Sequence, residues 1–94
     1  MGGVARAVAL TGSDQIVRAT AAIFRGLTVH ETAGSTAVVR VYDNASGASG
    51  TVLAAVSLGA NESETIALTV GLYVDAGLFV DVVSGAVEGS VWVG

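Results

Sequence analysis

Few side chains in this sequence are suited to catalysis or metal binding. The chain has a single histidine, His30, and it contains no cysteine and no lysine. Glu31 follows directly, but neighbouring residues of a strand point to opposite faces, so the two side chains are not expected to share a metal ion. Residues 47–50 (GASG) lack the spacing of a G-x-S-x-G nucleophile elbow, and no glycine-rich phosphate-binding loop occurs. We therefore expect no catalytic residue, no cofactor site and no metal site, and we predict that the protein is not an enzyme.

Two carboxylates near the end of the chain are predicted to face each other. Ser84 and Gly85 suit a two-residue hairpin turn, since glycine readily adopts positive φ. Pairing across this turn places Asp81 opposite Glu88, and like charges in that arrangement destabilise a hairpin. The interpretation that we favour is that water solvates both groups. An arginine from a neighbouring subunit or a calcium ion could also neutralise them, although calcium usually needs about six or more oxygen ligands.

The same hairpin predicts where the surrounding residues point. Its core face is expected to pair Val82 with Val87, Val80 with Gly89, and Leu78 with Val91. Its other face would bring Phe79 and Trp92 into diagonal contact. An equally acceptable interpretation is that Trp92 simply covers Gly77 across the hairpin and stabilises it.

Outward-facing aromatic residues are the best candidates for binding another molecule. Trp and Tyr are favoured at protein interfaces, and their rings also stack on sugars. Tyr42, Tyr73, Phe79 and Trp92 all share strand parity with polar residues or lie off the predicted core face. The candidate interface residues are Trp92, Phe79, Tyr73, Tyr42, Arg40, Asp81 and Glu88.

The pattern along the chain is typical of β-strands. Apolar residues recur with a period of two, β-branched residues are abundant, and 13 glycines interrupt the runs. Gly26 is expected to mark a bulge or corner, and residues 44–50 are expected to form a loop. We predict strands at 15–31, 36–43, 51–58, 63–74, 78–83 and 86–93. The residues predicted to face the core include Ala37, Val39, Val41, Val52, Ala54, Val56, Leu58, Ile66, Leu68 and Val70.

These elements predict one all-β domain that spans residues 1–94. Strands of ~6–10 residues with no helix between them favour an antiparallel β-sandwich or jelly roll of about 7–8 strands. The pattern does not decide between these two topologies. Residues 1–14 are expected to form either the first strand or an arm that reaches a neighbouring molecule.

The composition indicates that much of the surface is covered when the protein is at work. Only 13% of residues are charged, against a typical ~25%, while 52% are hydrophobic. The net charge is −4 and the four arginines are scattered, which argues against nucleic acid as a partner. No apolar run approaches the ~18 residues of a membrane helix, and no signal peptide is recognisable, so we expect a soluble protein with no membrane partner.

Six short segments in the last two thirds of the chain form a distinctive series. They are 39–43 (VRVYD), 50–54 (GTVLA), 57–58 (SL), 77–82 (GLFVDV), 84–85 (SG) and 88–93 (EGSVWV). The series resembles small β-sandwich proteins from the structural gene clusters of tailed bacteriophages. The resemblance implies a virion structural protein without catalytic residues, made in the host cytoplasm. Within that class it implies a capsid decoration (cement) protein, which commonly sits as a homotrimer on the outer surface of the shell, bound to the major capsid protein lattice.

Two other functions compete with that leading hypothesis. A carbohydrate- or receptor-binding module of a tail or fibre would use Trp92, Phe79 and Tyr73 as a stacking surface. A subunit of the tail tube or of the head–tail connector would assemble into rings of higher order. Decoration is favoured because a sandwich with few charges suits symmetric packing, in which each copy buries its flanks against its neighbours.

Overall fold

The computed structural model describes residues 4–94, and these residues form eight β-strands and no helix. The strands are β1 (Arg6–Ala9), β2 (Gln15–Arg18), β3 (Ala22–Glu31), β4 (Ala37–Asp43), β5 (Thr51–Leu58), β6 (Ser63–Val74), β7 (Leu78–Ser84) and β8 (Val87–Val93). The all-β prediction is therefore confirmed. The described part of the chain has no helix of the length and hydropathy needed to cross a membrane.

The strands form two four-stranded antiparallel sheets. Sheet A has the order β1-β8-β3-β6, and sheet B has the order β2-β7-β4-β5. Every connection along the chain except β4–β5 crosses from one sheet to the other. This order is that of a jelly roll, so the structure decides between the two topologies that the sequence pattern allowed.

The core lies between the two sheets and is built from apolar side chains. Successive residues of a strand point to opposite faces, so every second residue of the central strands enters the core. The largest fully buried apolar side chains are Phe24, Leu27, Val29, Val39, Val41, Val74, Leu78, Val80 and Val91. The predicted inward orientation of Ala37, Val39 and Val41 is confirmed, because each is at most 1% exposed.

The predicted hairpin of residues 78–93 is wrong, because β7 lies in sheet B and β8 in sheet A. Gly85 does have a positive φ of 83°, as the turn prediction required. It lies close to Thr36 and to Ala37, the first residue of β4, and the turn carries the chain across to the other sheet. The cross-strand pairs expected there do not exist. The residues still face the core: Leu78, Val80, Val87 and Val91 are buried, and Val82 packs against them.

The predicted strand 15–31 is also two strands, β2 in sheet B and β3 in sheet A, joined by residues 19–21. Near the start of the chain, β1 pairs with β8 along its whole length. Residues 6–9 thus form a first strand and not an arm, while residues 1–3 of the predicted segment lie outside the described residues.

Gly26 lies at a β-bulge, as predicted. Phe24 and Gly26 pair with consecutive residues of β8, so Arg25 is an extra residue on β3. The φ of Gly26 is 135°, and a Cβ atom there would overlap the carbonyl oxygen of Ile66 on β6. The neighbouring backbone therefore approaches too closely for any side chain at this position.

Two further bulges turn predicted core residues toward solvent. Leu53 is an extra residue in the ladder between β5 and β4, and Val52 beyond it is about half exposed. Residues 68–71 bulge out of the ladder between β6 and β3, and Val70 is 79% exposed. The predicted inward orientation of Val52 and Val70 is wrong, because a bulge reverses the alternation of side chains. The other predicted core residues of these strands, Ala54, Val56, Leu58, Ile66 and Leu68, belong to the core or pack against it.

The bulge at Gly26 can be tested by substitution. Gly26→Ala should lower the free energy of unfolding by about 3 kcal/mol or more, because it combines a backbone clash with an unfavourable φ. Gly47→Ala is the matched control, since a Cβ at Gly47 meets no atom within 4 Å. It should change the stability by less than about 0.5 kcal/mol. Denaturant unfolding measures both values. If the two substitutions lowered the free energy of unfolding equally, the close approach of the Ile66 carbonyl oxygen to Gly26 would be contradicted.

Candidate interaction surfaces

The seven residues predicted to form an interface do not lie on one surface. Directly opposite residues of paired strands share a face, so the register assigns each residue to a sheet. Trp92, Glu88 and Tyr73 belong to the outer face of sheet A, whereas Phe79, Tyr42, Arg40 and Asp81 belong to the outer face of sheet B. Any interface that used all seven would have to wrap around the domain.

A row of large side chains crosses the outer face of sheet B. Ile16, Phe79, Tyr42 and Val52 occupy directly opposite positions on β2, β7, β4 and β5. Phe79 is only 8% exposed, since it lies between the side chains of Ile16 and Tyr42 in this row. Phe79 is therefore off the core face, as predicted, but it is not accessible to another molecule.

Trp92 lies on the opposite sheet, so its predicted contact with Phe79 is wrong. The alternative prediction, that Trp92 covers Gly77, is wrong for the same reason. The indole ring covers Gly26 instead: its Cε3 atom would lie 3.1 Å from a Cβ at that position. Trp92 thus does cover a glycine across a strand pair, but that glycine is Gly26 of β3 and not Gly77.

Asp81 faces Arg40 on β4 and not Glu88. Burial of the carboxyl group and then the nearby carboxylate of Asp14 raise the pKa of Asp81 above its ordinary value, while Arg40 acts in the opposite direction. Asp14 itself accepts a hydrogen bond from the backbone N–H of Val82 at 2.8 Å. The predicted pair of Asp81 and Glu88 is wrong, and the arginine opposite Asp81 belongs to the same chain.

Three rows of directly opposite residues on the outer face of sheet A surround Trp92 with small and polar side chains. The rows are Ala7, Trp92, Gly26 and Ala67; then Ala9, Ser90, Thr28 and Thr65; then Glu88, His30 and Ser63. The indole Nε1 of Trp92 donates a hydrogen bond to Ser90 Oγ at 3.0 Å. The hydroxyl groups of Thr28 and Thr65 are hydrogen-bonded at 2.9 Å. These three rows are called the Trp92 face below.

The edge strand of sheet A carries an apolar patch. Val70, Tyr73 and Leu72 of β6 are 79%, 66% and 43% exposed. Tyr73 pairs with Ile23 and Leu72 with Phe24, so these two side chains lie on opposite sides of the edge strand. The three residues are called the edge patch below. No charged residue occurs from Thr65 to Val74. Edge strands of soluble proteins usually carry charges or are covered, because an exposed edge invites association. The outward orientation predicted for Tyr73 is therefore observed on a stretch of edge strand without charges.

Sequence reasoning missed the role of Glu31, which is completely buried at the end of β3. Its carboxylate accepts hydrogen bonds from the backbone N–H groups of Ala33 at 2.8 Å, Gly34 at 2.9 Å and Asn61 at 2.8 Å. These bonds, the one from Asn61 above all, lower the pKa of Glu31 below its ordinary value and outweigh the opposing effect of burial. Glu31 thus joins the β3–β4 connection to the β5–β6 connection.

Asp43 performs the same task at the other end of the sandwich. Its carboxylate accepts hydrogen bonds from the backbone N–H groups of Ala76 at 3.0 Å, Asp75 at 3.2 Å and Gly77 at 3.4 Å. These donors, Ala76 first, lower the pKa of Asp43. The sequence carried a signal for Glu31, because a carboxylate that shares strand parity with Leu27 and Val29 needs partners inside the protein.

The described residues offer no enclosed site for chemistry. Within residues 4–94, no three His, Cys, Asp or Glu side chains are placed together to hold a metal ion, and the surface of this part of the chain has no pocket. Comparisons of the chain with protein-family models, with curated proteins and with solved structures find no match. Exposed surface that could bind another molecule lies on the Trp92 face, at the edge patch, and at Ile16 and Val52 on the edges of sheet B.

Glu31 makes a testable contribution to stability. Glu31→Gln should lower the midpoint of thermal unfolding at neutral pH by on the order of 5–10 °C, because the neutral amide binds the N–H groups less well than the carboxylate. The folded-state pKa is lowered, so the stabilisation exists above the unfolded value of about 4.3 and is lost as the pH falls through the folded value.

The difference in melting temperature between Glu31→Gln and the natural protein should therefore shrink below about pH 4. Glu64→Gln is the control, since Glu64 is exposed on β6. If Glu31→Gln and the natural protein had the same melting temperature at neutral pH, the stabilising role of the Glu31 carboxylate would be contradicted.

Asp81 should behave in the opposite way. Its folded-state pKa is raised, so ionised Asp81 lowers stability above that value, and stability rises as the pH falls toward the unfolded value of about 3.9. Asp81→Asn should stabilise the protein at neutral pH by up to about 0.5 kcal/mol, a small effect because the group is largely solvated. Asp75→Asn is a control on the adjacent connection. If Asp81→Asn lowered the stability, the attraction of Asp81 to Arg40 would outweigh the burial of the carboxyl group and its repulsion by Asp14.

Proposed function

We propose that this protein is a non-enzymatic structural protein of a bacteriophage particle. In this proposal it is a capsid decoration protein that binds the outer surface of the shell as a homotrimer and stabilises the shell. The observation that carries the proposal is the edge patch of Val70, Leu72 and Tyr73 on an edge strand that has no charged residue from Thr65 to Val74. A protein with this surface is suited to an assembly in which another chain covers it.

The edge patch supports contact between protein chains. Tyr73 supplies the aromatic, amphipathic surface that is enriched at interfaces, and Val70 projects from a bulge where it can enter a depression on a partner. The bulge also makes the edge irregular, so we expect side-chain packing to dominate over continuation of the sheet by a second strand.

A closed trimer needs a second surface to receive the edge patch. A three-fold ring uses heterologous contacts, in which one patch of each copy meets a different patch of the next. The exposed ends of the sheet B row, Ile16 and Val52, are each about half exposed and provide apolar surface at both edges of sheet B. We expect one of these edges to receive the edge patch.

The viral part of the proposal is supported by the sequence and not by the fold. The resemblance of segments 39–43, 77–82 and 88–93 to small phage structural proteins points to a virion. The jelly-roll topology is shared by many viral capsid domains, and it also occurs in lectins and other proteins, so the fold alone implies no function.

The first experiment is to measure the solution mass by light scattering coupled to size exclusion. We expect three times the mass of one chain, and Val70→Lys should weaken association by at least about tenfold, since it places a charge in the contact. Val83→Lys is the matched control, because Val83 is also an exposed valine but lies on sheet B. A natural protein that stays monomeric at all concentrations would refute the trimer.

The second experiment addresses the shell. Purified protein added to empty expanded capsids should bind at saturable sites and raise the temperature at which the shells disassemble. Val70→Lys should reduce this effect if subunit contacts support binding. Shells whose melting temperature does not change with saturating protein would refute the decoration function.

A further inference from the structure

We propose that the Trp92 face is a binding site for a neutral saccharide, with one pyranose ring stacked on the indole of Trp92. The site is independent of the decoration function, because it lies on the broad face of sheet A and not at the edge patch. The residues of the Trp92 face take no part in the proposed contact between subunits.

Trp92 has the properties of a rigid stacking platform. Its ring rests on Gly26, with Cε3 at 3.1 Å from the position of a Cβ, and its Nε1 is fixed by the hydrogen bond to Ser90. Ala7 and Ala67, in the same row, are too small to cover the ring, and Trp92 remains partly exposed. A flat aromatic surface held in this way can contact the C–H groups of a sugar ring at little cost in side-chain entropy.

The second row of the Trp92 face supplies hydroxyl groups beside the platform. Ser90 Oγ accepts the indole N–H, so its own O–H remains free to donate. The hydroxyl groups of Thr28 and Thr65 are bonded to each other, and one of the two therefore keeps a free donor while both keep acceptor capacity. A polyhydroxylated ligand can use such mixed donors and acceptors.

The third row supplies stronger hydrogen-bonding groups. Glu88 and His30 lie directly opposite each other on β8 and β3, with Ser63 next to His30 on β6. A carboxylate can accept from two neighbouring sugar hydroxyl groups, and such charge-assisted bonds are the stronger ones. Two strand positions, about 7 Å, separate successive rows. A ring stacked on Trp92 therefore adjoins the hydroxyl groups of the second row, and a further sugar unit would extend toward Glu88 and His30.

The charges of the face favour a neutral ligand over an anionic one. Glu88 is the one acidic residue of the three rows, which contain no arginine. Arg25 in the adjacent bulge has its guanidinium group against Gly71 and Gly94. A sialylated or sulfated sugar would therefore meet a carboxylate without a facing cation.

The surroundings of Trp92 also favour a sugar over a protein partner. The centre of a protein interface is usually rich in large apolar and aromatic side chains. Here a single aromatic ring is bordered by alanine, glycine, serine and threonine, and the large exposed apolar residues of the same sheet are gathered in the edge patch.

The single tryptophan makes the site directly measurable. The natural protein would be titrated with methyl glycosides and short neutral oligosaccharides of glucose, galactose, mannose and N-acetylglucosamine, while Trp92 fluorescence and its indole N–H resonance are recorded. We expect a saturable change with at least one neutral sugar, with a Kd of about 1 mM, as is common for small ligands on open surfaces.

Four variants make the assignment specific. Glu88→Gln should weaken binding by at least about fivefold, whereas Glu64→Gln should leave it unchanged, because Glu64 pairs with the core residue Val29 and lies off this face. Val70→Lys should also bind normally, which separates the sugar site from self-association. Trp92→Ala should abolish binding, followed through the amide resonances of Ser90 and Thr28, which also report whether the variant is folded.

Other outcomes would overturn the proposal. They are an unchanged Trp92 signal with every neutral sugar, a response restricted to sialylated or sulfated sugars, and a signal that changes with protein concentration and not with sugar. The last result would assign the Trp92 face to contact between copies. Shell binding is measured separately, so loss of sugar binding leaves the decoration proposal intact, and the converse also holds.

Discussion

The fold depends on backbone N–H groups that are satisfied at the two ends of the sandwich. Nearly every connection crosses between sheets, so each end contains turns whose N–H groups have no strand partner. Glu31 at one end and Asp43 at the other accept these donors in sets of three. Both residues end a strand and reach a connection that follows much later in the chain. The carboxylates therefore hold the connections together at each end, and the aliphatic core fills the space between the sheets.

This arrangement leaves the broad outer faces and edges free to differ from each other. On sheet B, Phe79 is enclosed by its neighbours in the row, so its outward aromatic side chain stabilises the face and offers little to a partner. On sheet A, the edge patch is apolar and irregular, whereas the Trp92 face is small, flat and polar around one ring. The first surface suits a protein chain, and the second suits a sugar, because the groups that each presents have different chemistry.

The low charge of the chain has a consequence for both surfaces. With 13% charged residues, few side chains are available to guard exposed edges, and several of the carboxylates are occupied by backbone N–H groups. From Thr65 to Val74, β6 lacks the charges that commonly protect an edge strand. An assembly that covers β6 would remove this liability and would make the sparse charge an adaptation to packing.

The sequence by itself determined the strands and, for most of them, which face enters the core. Alternation in 37–41 and 54–58, the bulge at Gly26 and the turn at Gly85 are properties of neighbouring residues, so a local pattern predicts them. Only the tertiary structure decided which strands pair, because pairing joins residues far apart in the chain. The same alternation fits β7 beside β8 or beside β4, and only the packed jelly roll places Asp81 opposite Arg40 and Trp92 over Gly26. Bulges at Leu53 and at 68–71 reverse the exposure of Val52 and Val70 because they arise from the fit between partner strands, which no single strand contains.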